Sequence, residues 1–280
     1  MMLKTALALA LTTSLASADQ AWTLSGFEMP ESVLHDPARA RLIVSNIVGH
    51  PGAVDGDGYL SLLSLDGRVL ERVWASGLDA PKGMALIGDR LLVADLSKLR
   101  VLDAETGALL HTLTPEGAVF LNDITSDGTR AYISDFLAGQ VWRYFDGRME
   151  PILESTALAH PNGLFWDETL DGGRLIVGSW GRGMRADFTT ETPGDLLAVD
   201  VESGMIEVLA SGLGNLDGIV RMGSVLAVSD WVSGAVHLVS EDGIETLGAW
   251  PTGLADIGGA GETLYLPHML EGRVEAIVLE

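Results

Sequence analysis

The sequence predicts an all-β fold, a six-bladed β-propeller with a central channel whose last blade is closed by the N-terminal strand. Three observations predict it. A short phrase recurs six times, hairpin turns with X-Gly pairs fall between its copies, and no segment holds a sustained helical period.

The phrase is two polar or small residues followed by an apolar one. It reads Glu31-Ser32-Val33, Lys82-Gly83-Met84, Asn122-Asp123-Ile124, Asn162-Gly163-Leu164, Asp217-Gly218-Ile219 and Ala255-Asp256-Ile257. Successive copies open about 38 to 55 residues apart, the length of a four-stranded blade. Behind each copy runs a β-rich segment: Arg41–Asn46, Arg90–Asp95, 130–135, 174–180, 224–230 and Thr263–His268. Hairpins are expected over 58–74, 99–113, 140–153, 195–209 and 235–247. Their turns carry Asp66-Gly67, Thr106-Gly107, Asp146-Gly147, Ser203-Gly204 and Asp242-Gly243, pairs that supply the positive φ of two-residue hairpin turns. The sixth blade is short of a strand, because little chain follows residue 268. The strand-like segment 21–27 is expected to complete it, which would leave the ring without an open edge.

Residues 1–18 stand apart from the repeats. Lys4 gives a basic start, 5–15 is apolar, and Ala16-Ser17-Ala18 reads as a small-x-small cleavage site. The apolar run is shorter than the ~20 residues that a membrane span needs. A single propeller domain over 19–280, periplasmic or secreted, is the expectation. The chain has no cysteine, which excludes disulfides and thiolate chemistry. Its formal net charge of −22 argues against nucleic-acid and anionic-membrane partners, which require clustered Lys and Arg.

Each inner strand of a propeller lines the channel, so the first residue of each phrase should point at the axis. Those residues are Glu31, Lys82, Asn122, Asn162, Asp217 and Ala255, and four of the six carry oxygen donors. Two carboxylates and two amide carbonyls suit a hard cation such as Ca²⁺, which takes ~6–8 oxygens. The absence of Cys and His from these positions disfavours zinc and copper.

With these residues in place, the chain resembles the gluconolactonase, senescence-marker-protein and luciferin-regenerating-enzyme group of six-bladed propellers, relatives of the paraoxonase lactonases. The resemblance runs from Phe27 to the C-terminus. It is carried by Pro30-Glu31-Ser32, Phe120-Leu121-Asn122-Asp123, His160-Pro161-Asn162-Gly163-Leu164 and Leu216-Asp217-Gly218-Ile219. It implies that Glu31, Asn122, Asn162 and Asp217 hold one divalent metal, Ca²⁺ first, with Mg²⁺, Mn²⁺ or Zn²⁺ as alternatives. It also implies a metal-dependent hydrolase of lactones or related esters, acting on a small molecule. Asp217 would serve as base or nucleophile, and Lys82 would steady a carboxylate or oxyanion. His160, Trp180, Asp230 and His268 are the remaining candidates for substrate contact. A lone histidine is more often structural, and a tryptophan between blades more often packs. Two departures stand out. The arginine that sugar-lactonase members carry before the Asn-Asp is replaced by Val119, Phe120 and Leu121, and their Gly-Pro after the first Glu is Ser32-Val33. The alternative reading is a non-catalytic exported propeller that binds a small ligand or a protein partner and keeps a structural calcium. An open metal face beside a cavity would favour the hydrolase; an ion closed off by protein oxygens would favour the alternative.

The leader pattern is directly testable. Mass spectrometry of the exported protein should show an N-terminus at or near Asp19, and an intact Met1 on periplasmic protein would refute the leader.

Overall fold

The structure, a computed structural model, describes residues 18–170 and 172–279; the expected leader, apart from Ala18, lies outside the described residues. Six antiparallel sheets form the ring, with no α-helix among the described residues and two short 3-10 turns, Thr156–Leu158 and Met269–Glu271. The inner strands are Pro30–Asp36, Pro81–Ile87, Leu121–Ser126, Pro161–Asp167, Leu216–Met222 and the short Gly258–Ala260. In the first blade the order from the axis outward is Pro30–Asp36, Arg41–Asn46, Gly58–Ser64 and Val69–Leu78.

Burial explains why these sequences form these strands. The second strand of each blade is sandwiched between two neighbouring blades. It is therefore buried along nearly its whole length and apolar through its middle, as in Arg41–Asn46 and Arg90–Asp95. A strand covered on both faces reads as a continuous apolar run. The outermost strand has one side in water, and Val69–Leu78 is mostly exposed. The cores accordingly lie between blades. Leu92, Ala94 and Val101 of the second blade pack on Leu121, Ile124 and Ile133 of the third. Each fully buried side chain of this size contributes roughly 1.5–3 kcal/mol.

The ring closes as expected, but the closing strand is Ala18–Ser25 and not 21–27. It pairs antiparallel with Arg273–Leu279, from Ala18 opposite Leu279 to Ser25 opposite Arg273. Gly26, at φ 87°, ends it. The N–H groups of Gly26 and Phe27 both donate to the Gly272 carbonyl at 3.0 Å. Phe27 then turns into the seam, where Val33, Leu42 and Val44 of the first blade meet Tyr265, Val274 and Ala276 of the sixth. Trp22 fastens the strand to the first blade. Its Nε1 donates to the Leu65 carbonyl at 3.0 Å, and a Cβ at Gly67 would fall 2.6 Å from its ring.

Two blades exceed the usual length. In the first, residues 47–57 separate the second and third strands. In the fourth, a two-residue strand, Gly181–Arg182, pairs back on Thr192–Val199 and throws out a loop between them.

Removing residues 18–25 should bare the edge of Arg273–Leu279 and strip Trp22 and Leu24 from the seam. The expected outcome is aggregation on size-exclusion chromatography and a lower Tm, by roughly 2–4 °C per kcal/mol lost. A truncated chain that stays monomeric with an unchanged Tm would sink the closure.

Candidate functional site

The recurring phrase is a β-bulge. In five blades the pairing of the inner strand with its neighbour slips at one place: between Pro30 and Val33, Pro81 and Met84, Leu121 and Ile124, Pro161 and Leu164, and Leu216 and Ile219. The two residues skipped are the polar pair of each phrase. A bulge of this kind bends the strand and re-aims side chains, here toward the axis.

Hydrogen bonds hold the bulges in place. Three blades place a serine behind the bulge. Ser45, Ser134 and Ser229 hydroxyls accept from the backbone N–H of Ser32 (3.0 Å), Asp123 (2.9 Å) and Gly218 (2.8 Å). Ser134 and Ser229 donate onward to the carbonyls of Asn162 (2.7 Å) and Ala255 (2.9 Å), tying each blade to the next. Asp123 accepts from the N–H groups of Ile124 and Leu164, both at 2.6 Å. Gly163 allows the fourth and fifth blades to approach, since a Cβ there would lie 1.5 Å from the Asp217 carbonyl oxygen.

Glu31, Lys82, Asn122, Asn162 and Asp217 meet at one cavity of about 200 Å³, and all five are buried. Ala255, the sixth phrase residue, packs among Ile47, Ala80, Leu96 and Met269. Trp180 also lines the cavity. The other three predicted contacts do not, and each is captured by a local partner. His160 holds Nδ1 3.0 Å from the Phe136 carbonyl and lies 5.4 Å from the Phe136 ring, so it backs the cavity wall. Asp230 accepts from the N–H groups of Val232 and Ser233 and from the Ser233 hydroxyl, which caps a turn. His268 is buried against Glu275, Nε2 to Oε2 3.1 Å. The structure adds Phe136, Met184 and Phe188 to the cavity lining, beside Phe120 and Trp231. The surplus length of the fourth blade, which carries Met184 and Phe188, was the available signal.

Two buried acceptors at the cavity floor, Glu31 Oε2 and Asn162 Oδ1, have no hydrogen-bond partner. The Asn162 amide nitrogen is fixed on the Leu216 carbonyl at 3.2 Å. Among the described residues, no three His, Cys, Asp or Glu side chains cluster to hold a metal. Any ion here would therefore depend on amide oxygens as well as on Glu31 and Asp217. The Lys82 ammonium rests 4.9 Å above the Phe120 ring. Burial lowers its pKa, while Glu31, Asp217 and Asp95 pull it back up. Burial raises Glu31 and Asp217 well above the ordinary carboxylate range, against the opposing field of Lys82.

No protein-family model and no curated protein matches the chain. Among solved structures, the chain is similar to an X-ray structure of a gluconolactonase-like protein, with a TM-score of 0.64 and 20% identity over 95% of this chain and 92% of that one. It is similar to luciferin-regenerating enzyme, with a TM-score of 0.66 and 11% identity over 94% and 95%. It is also similar to virginiamycin B lyase from Staphylococcus aureus with quinupristin, with a TM-score of 0.61 and 12% identity over 95% and 100%. At these identities the likeness establishes the propeller fold. The first two carry names of the group that the four motifs resemble.

A second acidic layer lies beyond the first. Asp123 and Asp256 line a cavity of about 330 Å³ that is built from the second residues of the phrases and those after them. Asp256 accepts from the Ser32 hydroxyl at 2.5 Å, and burial pushes its carboxyl up to about 7. The unfolded chain releases that proton near pH ~4. Between these values the folded state binds more protons, so stability falls as pH rises. This contribution is fully present below the unfolded pKa and gone above about 7. Glu31, Asp123 and Asp217 act in the same direction. In metal-free protein the Tm of wild type should therefore fall relative to Asp256→Asn between pH 4 and 7. A difference that stays flat or rises over that window would overturn the assignment.

Proposed function

We propose that the chain is a divalent-metal-dependent hydrolase of lactones or related esters. The observation that carries this reading is the pair of orphaned acceptors, Glu31 Oε2 and Asn162 Oδ1, on the floor of a cavity that Asn122 and Asp217 also line. A buried acceptor left unpaired costs ~1–3 kcal/mol. Buried carboxylates without a counter-charge cost more, and Lys82 offsets only one of the two. A hard cation would satisfy both deficits, and an all-oxygen donor set favours Ca²⁺, Mg²⁺ or Mn²⁺ over zinc.

Held by Glu31, Asn122, Asn162 and Asp217, such an ion would supply Lewis-acid polarisation of an ester carbonyl. The remaining work falls to the protein's own groups. Asp217 borders the cavity and takes a proton from the attacking water, or attacks the carbonyl carbon itself. Lys82 faces the same space over Phe120 and stabilises the negative charge that develops on oxygen. The aromatic wall keeps water away and so strengthens both interactions. A cavity beside all four donors favours this reading over a structural ion in a non-catalytic binding protein. The leader pattern of residues 1–18 supports an activity in the periplasm or outside the cell.

Calcium should raise the Tm by mass action, equivalent to about 2.7 kcal/mol at a hundredfold excess over Kd. Glu31→Ala and Asp217→Ala should each abolish that rise and the turnover of lactone. Asp66→Ala is the control. It removes the same charge from an outer turn, where Asp66 meets only solvent and nearby groups such as Arg68 at 3.1 Å, and it should keep the full response. Retention of the calcium shift in Glu31→Ala and Asp217→Ala would remove the metal site and the mechanism with it.

A further inference from the structure

We infer that the substrate is apolar away from its reacting carbonyl: a lactone or ester bearing an alkyl or aryl group, and not a polyhydroxylated sugar lactone. This rests on the hydrolase reading above and adds the part of the molecule that the floor does not touch.

The polar groups of the cavity are concentrated at its floor. Apart from His50, which lies beside Pro51 and Gly52, the rest of the lining is apolar, and five aromatic rings run through it. Phe120 lies 6.0 Å from Phe136, Phe136 meets Trp180 edge-on at 5.5 Å, and Trp231 lies 6.0 Å from Trp180 and 6.2 Å from Phe188. The indole N–H of Trp180 is already spent on the Phe188 carbonyl at 2.8 Å, so it cannot meet a substrate hydroxyl. Sugar hydroxyls placed against this wall would lose water and find too few partners, whereas methylenes or a ring would gain by burial. Phe188 marks the rim. It is 46% exposed and holds φ 66°, a left-handed conformation uncommon for a bulky side chain. Its backbone N–H donates to Arg185 at 3.0 Å, which braces the loop that carries it. Hydrolysis breaks the acyl C–O bond, adds the water oxygen to the acyl carbon and returns a proton to the leaving alkoxide. The resulting hydroxy acid fits the site as a whole, with its carboxylate toward Lys82 and its tail on the wall.

The test measures turnover and product binding separately. δ-Decalactone, δ-valerolactone and glucono-δ-lactone are compared as substrates with calcium present. 5-Hydroxydecanoate, 5-hydroxypentanoate and gluconate are titrated calorimetrically as ligands. We expect δ-decalactone to be preferred, and binding to tighten by about threefold to fourfold for each methylene buried. Trp231→Ala should raise KM for δ-decalactone about tenfold or more with a smaller change in kcat, and should weaken 5-hydroxydecanoate in parallel. Phe188→Asn removes a rim ring while tolerating the positive φ, and should act in the same direction if Trp231→Ala folds poorly. Tight 5-hydroxydecanoate binding that both variants weaken, without turnover of any lactone, would refute the hydrolase and uphold the apolar site. Gluconate binding as tightly as 5-hydroxydecanoate, glucono-δ-lactone turned over at least as well as δ-decalactone, or no binding of any hydroxy acid would overturn the inference.

Discussion

An inner strand paired along its whole length would send successive side chains into the two flanking blade interfaces and leave none for the axis. The two-residue bulge breaks that alternation. At five blades it drops a polar pair out of the ladder, and the first residue of each pair reaches the cavity. Blades and bulges are held by different forces. The blades cohere through apolar cores between their flat faces, which are indifferent to direction. Three of the bulges are held by backbone N–H groups that donate to the hydroxyls of Ser45, Ser134 and Ser229, and such bonds are directional. The fold can therefore gather four unlike oxygen donors at one point without spending any of its core on them.

The electrostatic cost of that arrangement is visible in the proton affinities. Glu31, Asp123 and Asp217 are buried, Asp256 is half-buried beside them, and desolvation raises all four. One lysine is too little positive charge for so many carboxylates. Lys82 moreover keeps its ammonium over an aromatic face and makes no direct ion pair with either floor carboxylate among the described contacts. Such a site is poised to take up positive charge, either as protons in acid or as a cation near neutrality. Buried carboxylates without full compensation are where perturbed proton affinity and function tend to coincide.

Much of the fold was legible because its second strands have an apolar middle between polar ends. Arg41–Asn46, Arg90–Asp95 and Thr263–His268 have the bounds that their composition suggests. The floor of the cavity was legible as a column of polar residues at one position of a repeat. The bulge itself was not, because the skipped pair looks like any polar dipeptide until its neighbours are seen to pair around it. His160, Asp230 and His268 show the other limit. Each sits near a strand end or its following loop, but a side chain there turns toward whichever partner is nearest. The Phe136 carbonyl, the 231–233 turn and Glu275 are all closer than the cavity. The wall came from surplus chain in the fourth blade and from Phe120, Phe136 and Trp231 near strand ends, where composition alone gives no direction.

The latch between Ala18–Ser25 and Arg273–Leu279 joins two segments far apart in sequence. Interblade packing among the first five blades can accumulate as the chain lengthens, since each interface joins consecutive segments. The last interface cannot, because the first strand to be made must wait for the last. Contacts so distant in sequence are slow to form. The incomplete ring meanwhile keeps an unpaired edge and a half-covered seam around Phe27 and Tyr265. The ring therefore closes only once Arg273–Leu279 has been made and can meet Ala18–Ser25.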